Sequence, residues 1–150
     1  MFDSLNISAS ALTAQRLRMD VVSSNIANAE STRATYVNGK WQPYRRKMVE
    51  MEPRVKSSFD QVLQGAMLKQ TQTPLQGVRV SKIVDDQTPF KTVYDPSNPD
   101  ADASGNVMMP NVDLSKEMVD LLASSRSYEA NVTAFNTGKS MMLKALDIGK

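Results

Sequence analysis

The C-terminal stretch of the chain does most to limit what it can fold into. From about Asp113 to Leu146, apolar residues recur with heptad spacing. Leu114, Met118, Leu121, Tyr128, Val132, Phe135, Met142 and Leu146 fall on one a/d register, and only Ser125 and Lys139 interrupt it. Such spacing predicts a helix whose seam meets another helix. Pro110 precedes the run, Asn111 or Asp113 can cap its start, and Gly149 supplies a stop. Gly138 is a weak point inside it, costing about 1 kcal/mol relative to Ala. At about 1.5 Å per residue the helix is roughly 50 Å long. A compact chain of 150 residues has a radius of gyration of roughly 15 Å, a sphere about 38 Å across. The helix outruns that sphere, so its stripe needs a partner: the N-terminal helix, other subunits, or both.

Residues 4–30 contain neither Gly nor Pro and predict a second helix. Leu5, Leu12, Met19 and Ile26 recur every seventh residue, with Val22 and Ala29 at the later d positions, but Ser8 and Gln15 occupy the earlier ones. From these residues alone, an amphipathic helix in a globular core is the simpler reading, with a coiled-coil seam as the alternative. Asn25 and Asn28 lie near this seam. A buried Asn can fix the register of packed helices. An Asn at a fraying end can act as a C-cap instead. On the second helix, Arg126 and Glu129 are three apart and can pair along the surface for a few tenths of a kcal/mol, at most about 0.5, or reach across to another subunit. The ten methionines suit interfaces that differ between neighbours.

The middle, residues 31–112, has another texture. It holds all seven prolines and four of the six glycines. Val78, Val80, Ile83 and Val84 predict a strand after Gly77, Phe90–Tyr94 a second, and Trp41–Met51 one or two more. Residues 57–73 read as a long loop or a short helix around Phe59–Met67. Asp95 to Asp102 is a turn-rich loop with two prolines; it lacks the spacing and closing Glu of a calcium loop. The expected fold is α+β: long N- and C-terminal helices pairing as a coiled-coil-like core, with a small irregular β-rich module between them. Residues 1–30 and 113–150 are the helical ends and residues 31–112 the β-rich module with long loops.

With no Cys and no His, disulfides, thiolate metal sites and His-dependent catalysis are excluded. No carboxylate pair or Ser-Lys motif suggests other catalysis, so an enzyme is not expected, nor a cofactor or metal. The net charge is only +2, yet residues 33–56 carry seven basic side chains, Arg33, Lys40, Arg45, Arg46, Lys47, Arg54 and Lys56, against Glu50 and Glu52. Trp41 beside Tyr44-Arg45-Arg46-Lys47 raises nucleic-acid binding. A charged strand edge or an electrostatic contact to a neighbour are the plainer readings, and nucleic acid is not expected as a partner. The N-terminus lacks the basic start of a secretory signal, and no apolar run approaches the ~20 residues of a membrane span.

Two stretches carry a resemblance. Ala11-Leu12-Thr13-Ala14 followed by Met19 through Ala29, with Ser-Ser-Asn-Ile-Ala-Asn at its centre, resembles the N-terminal signature of the bacterial flagellar rod and hook family. Glu117-Met118-Val119-Asp120 through Ser125-Arg126-Ser127-Tyr128-Glu129-Ala130-Asn131 resembles its closing helix. Tyr44–Lys47, Tyr94-Asp95-Pro96, Pro99–Ala103 and Val107–Val112 narrow the likeness to the proximal rod members. The resemblance covers nearly the whole chain, residues 52–75 least. It implies a structural subunit of the basal-body rod, outside the cytoplasmic membrane, exported by the flagellar type III apparatus. Its implied partners are copies of itself, other proximal and distal rod proteins, and the adaptor and export gate at the rod base. It moves the N-terminal helix from core to assembly, which makes residues 1–30 and 113–150 a helical assembly domain and residues 31–112 its outer module. The implied interface comprises Leu12, Met19, Val22, Asn25, Ile26 and Asn28, facing Met118, Leu121, Arg126, Tyr128, Glu129, Val132, Phe135, Met142 and Leu146 from the other terminus.

Overall fold

The computed structural model describes residues 2–37, 39–54 and 77–148. Two long helices carry the ends of the chain: α1, Phe2–Ala27, and α2, Leu114–Ile148. Three antiparallel strand pairs lie between them in sequence. β1 (Thr35–Val37) pairs with β2 (Lys40–Gln42), β3 (Lys47–Pro53) with β4 (Val78–Asp85), and β5 (Lys91–Tyr94) with β6 (Asn106–Met109). This is the expected α+β layout. β4 and β5 fall where the sequence placed strands, and the Trp41–Met51 stretch contributes to β2 and β3. The sequence pattern places no strand at β1 or β6. The reading of residues 57–73, and the residues Lys56 and Gly149, lie outside the described residues.

α2 has 35 residues, about 52 Å at 1.5 Å each. Asp113 caps it: its carboxylate accepts the backbone N–H groups of Ser115 at 3.1 Å and Lys116 at 3.4 Å, satisfying donors that a helix start leaves free. α1 closes on Asn28, whose backbone N–H and side-chain amide both donate to the Ser24 carbonyl, at 3.1 and 2.9 Å.

The helices pack antiparallel. Leu5 lies against Gly138, Arg18 reaches Asp120, and Asn25 reaches Glu117. A Cβ on Gly138 would stand 3.1 Å from the Leu5 Cδ2. The glycine that looked like a weak point therefore lets the helices approach closely. The same register leaves the last turns of α2, from about Met141, projecting beyond the start of α1.

α1 has two working faces. One meets α2 and the other meets the β3–β4 pair, where the Ser10 hydroxyl accepts the Val78 N–H at 3.2 Å. The buried apolar side chains among the described residues are Ala14, Val21, Val22, Tyr44, Val107 and Val112, with Pro43 and Pro110. That core is thin, with most of the helix surface half-buried or exposed.

Gly77 makes the α1–β4 contact possible. Its φ is +103°, and a Cβ there would collide with the Ser10 Oγ. Gly77→Ala should lower unfolding free energy by about 1–3 kcal/mol through backbone strain. Ser10→Ala, which removes the hydroxyl's donation to the Ile7 carbonyl and its acceptance of the Val78 N–H without straining the backbone, should cost about 1 kcal/mol. Urea denaturation of both variants checks the order.

Candidate assembly surface and the polar knot behind it

Three distant segments meet in one buried polar cluster. Asn25 on α1 is 1% exposed and Glu117, in the first turns of α2, is 0% exposed. The Asn25 amide donates to the Lys47 carbonyl at 2.8 Å and to Glu117 Oε2 at 2.9 Å. Its oxygen accepts from the Lys47 N–H at 2.9 Å and the Tyr44 hydroxyl at 3.0 Å. All four hydrogen bonds open to an Asn side chain are made. Arg46 Nε donates to Glu117 Oε1 at 2.6 Å, and its terminal nitrogens lie 3.5 Å from Asp86 and 3.5 Å from Asp120. The Arg46 backbone N–H donates to Asn111 Oδ1 at 2.8 Å, while the Asn111 amide donates to the Asp86 and Thr88 carbonyls at 3.2 Å each. Asn111 thus ties the module together, and capping is left to Asp113.

Burial opposes the Arg46 charge, but the hydrogen bond and charge of Glu117, then those of Asp86, hold its pKa above the usual value. The Asp86 carboxyl sits below the ordinary carboxylate value. The Thr88 N–H donates to it at 2.9 Å, and this outweighs the opposing effect of burial, aided by the Thr88 hydroxyl and Arg46.

Arg33, Arg45 and Arg46 of the basic cluster are thus engaged within the chain. Arg45 stacks over the Phe90 ring at 4.7 Å and donates to the Asp86 carbonyl at 3.3 Å. Arg79 pairs with Glu52 and Lys82 with Glu50 across β3–β4. Asp95 to Asp102 folds as the expected turn. Asp100 is gripped by Arg33 and by the Thr32 hydroxyl at 2.7 Å. These partners hold its carboxyl below the usual range, the Arg33 hydrogen bond most, then that of Thr32.

The helix seam is rotated from the one the heptad pattern implied. The inward positions of α2 are Glu117, Leu121, Ser124, Tyr128, Asn131, Phe135, Gly138 and Met142, all buried or half-buried. Leu121, Tyr128, Phe135 and Met142 keep their expected place, but the positions between them shift back by one residue to polar or small side chains. Val132 stays half-buried at the flank. Met118 and Leu146 are 61% and 70% exposed. On α1, Val22 and Asn25 are buried, and Leu12, Met19, Ile26 and Asn28 are half-buried. Arg126 and Glu129 form an exposed pair at 3.0 Å.

Two apolar surfaces remain uncovered on α2. Leu114, Met118 and Leu122 make a ridge of i, i+4 neighbours with Val119 beside it, all 47–67% exposed. Met141, Leu143 and Leu146 are 55–70% exposed on the projecting end. The ridge contains Val119 and Leu122, which the heptad reading passed over. Their hydrophobicity was the available signal.

Known protein families match both ends of the chain. Residues 5–35 match the family described as flagella basal body rod protein, and residues 103–148 match flagellar basal body rod FlgEFG protein C-terminal. The chain is 59% identical to the flagellar basal-body rod protein FlgC of Bacillus subtilis (strain 168), across 99% of this chain and 98% of the relative. The chain belongs to the FlgC family of flagellar basal-body rod proteins. FlgC of Escherichia coli O6:H1 is 46% identical over 97% of this chain and 95% of its own length. FlgC of Borreliella burgdorferi is 44% identical over 99% and 97%. Membership in the FlgC family makes this a structural rod subunit of the basal body. Each family match takes in most or all of one terminal helix, and each contains one half of the Asn25–Glu117 contact.

Breaking a buried ion pair from one side typically costs about 3–5 kcal/mol. Glu117→Ala should approach that loss in urea denaturation. Adding Arg46→Met should recover part of it by removing a cation left with only its 3.5 Å contacts to Asp86 and Asp120; a double variant no better than the single would contradict this account. A second expectation concerns acid. Asp86 has a lower pKa folded than its unfolded value of about 3.8, so the folded state binds its proton less readily. Its contribution is complete above that value and is lost as pH falls through the folded one. Asp86→Asn should therefore lower stability at neutral pH and shrink the fall in urea midpoint between about pH 5 and pH 2.5.

Proposed function

We propose that the subunit builds the proximal rod, the shaft carrying motor torque to the hook, by laying the uncovered apolar surfaces of its helix pair against neighbours. The Leu114–Met118–Leu122 ridge is the observation that carries this reading. A few hundred Å² buried per contact, at about 25 cal/mol per Å², gives several kcal/mol before ordering costs. Many such contacts per subunit make a stiff shaft from individually modest bonds. When a contact does not close on itself, it generates a helical filament.

The expected interface residues then take different parts. Met118 and Leu146 face neighbours directly. Arg126 and Glu129 are placed to exchange their mutual bond for bonds to another subunit. Leu12, Met19, Ile26, Leu121, Tyr128, Val132, Phe135 and Met142 shape the pair and lend their half-exposed edges. Val22, Asn25 and Asn28 act from within, fixing the end of α1. The neighbours are copies of this chain, the other proximal and distal rod proteins, and the adaptor and export gate at the rod base. A thin core also suits export through the flagellar type III route, since little must be undone for passage.

Met118→Glu combined with Leu122→Glu should leave the free subunit's unfolding free energy within about 0.5 kcal/mol, as for other surface changes, yet abolish swimming in soft agar and rod recovery in purified basal bodies. Normal swimming would overturn the assignment of this face. Amide exchange on the monomer should show protection greatest around Val22–Asn25 and Glu117–Ser124, fading toward both helix tips. Uniformly strong protection to the tips would mean that the termini need no neighbours.

A further inference from the structure

The module carries a cleft that the assembly reading does not use. It lies between the β1–β2 hairpin and the loop leading into β6, with a volume of about 320 Å³. That is at the small end of the range for small-molecule sites, roughly 300–1,000 Å³. Trp41 lines it and is 57% exposed. The indole is steadied by Tyr36, whose ring meets it edge to face at 5.2 Å between centroids. Met108, 55% exposed, adds a second apolar surface.

The polar lining is of two kinds. Arg33, Thr32 and Asp100 are locked to one another and set the position of the wall. Lys40, Asp102 and Asn106 also line the cleft, and their side chains have no hydrogen-bond or ion-pair partner among the described residues. They offer an ammonium donor, a carboxylate acceptor and an amide that does both. The charges balance: Arg33 and Lys40 against Asp100 and Asp102.

An aromatic face beside free donors and acceptors, with no net charge, matches the surface of one kind of ligand. A pyranose ring presents a face of C–H groups for stacking and a rim of hydroxyls that both donate and accept. A phosphate or nucleotide would want a net positive site, and a purely apolar ligand would leave Lys40 and Asp102 desolvated and unpaired. We propose that this cleft binds a sugar ring of a neutral glycan, stacked on Trp41 and hydrogen-bonded by Lys40, Asp102 and Asn106. The inference is independent of the helix surfaces and is tested on the free subunit.

Trp41 is the only tryptophan of the chain, so its fluorescence reports on the cleft alone. The full-length subunit should be titrated with cellotetraose and, separately, with chitotetraose. The first shows whether hydroxyls suffice and the second whether an acetamido group is needed. A saturable change in emission with either sugar is expected. Asp102→Asn and Lys40→Ala should each weaken binding by at least about fivefold, while Met118→Glu leaves it unchanged. The absence of a saturable response to both sugars overturns the proposal. So does an emission that shifts with subunit concentration and not with sugar, which would make Trp41 a protein contact. Binding unaffected by Asp102→Asn and Lys40→Ala would also place the sugar elsewhere.

Discussion

The contact between Asn25, Arg46 and Glu117 sets the rest of the structure. It is the point where α1, the start of β3 and the start of α2 touch, and each side chain is satisfied only if the other two segments are present. Apolar surfaces can slide over one another at small cost. Four hydrogen bonds on one amide and an ion pair to a buried carboxylate cannot. The thin core therefore draws its uniqueness from polar geometry, and the angle between helix pair and module follows from it.

The remaining architecture hangs from this point. Asn28 ends α1 one turn beyond the knot, and Asp113 starts α2 one turn before Glu117. Asn111 and Asp86 carry the connection into the module. At the other end of the helix pair, Gly138 and Leu5 set the separation. The pair is thus fixed by polar bonds near the module and by close apolar contact farther out.

Much of this was legible in the sequence, though unevenly. α2 was plain because its period persists over 35 residues and its length rules out a compact home. α1 was ambiguous for a physical reason: it packs against α2 on one side and β3–β4 on the other, so its apolar residues do not form one stripe. The rotation of the α2 seam was invisible because a heptad pattern cannot separate positions facing a partner in the same chain from those awaiting one in another. Met118 and Leu121 look alike on a helical wheel; only the register set by Asn25 and Glu117 parts them. The knot was the least legible element. Its members come from residues 25, 44–47, 86, 111 and 117, with no period to connect them. The one hint was Asn25 itself, an amide near an apolar seam. Tyr44–Lys47 drew attention as a surface charge cluster, yet two of its four side chains serve the interior, because a charge run in sequence does not show where its partners lie.

The unequal lengths of the helices bear on how a shaft of such subunits breaks. If α1 and α2 ended together, successive layers would meet at a flush plane, and shear could run straight across it. With the tip of α2 projecting past α1, subunits that pack along the helix pair would have their joints staggered like courses of brick. In such a packing, a slip begun at one joint would run into the middle of a neighbouring helix, where the backbone ladder is continuous.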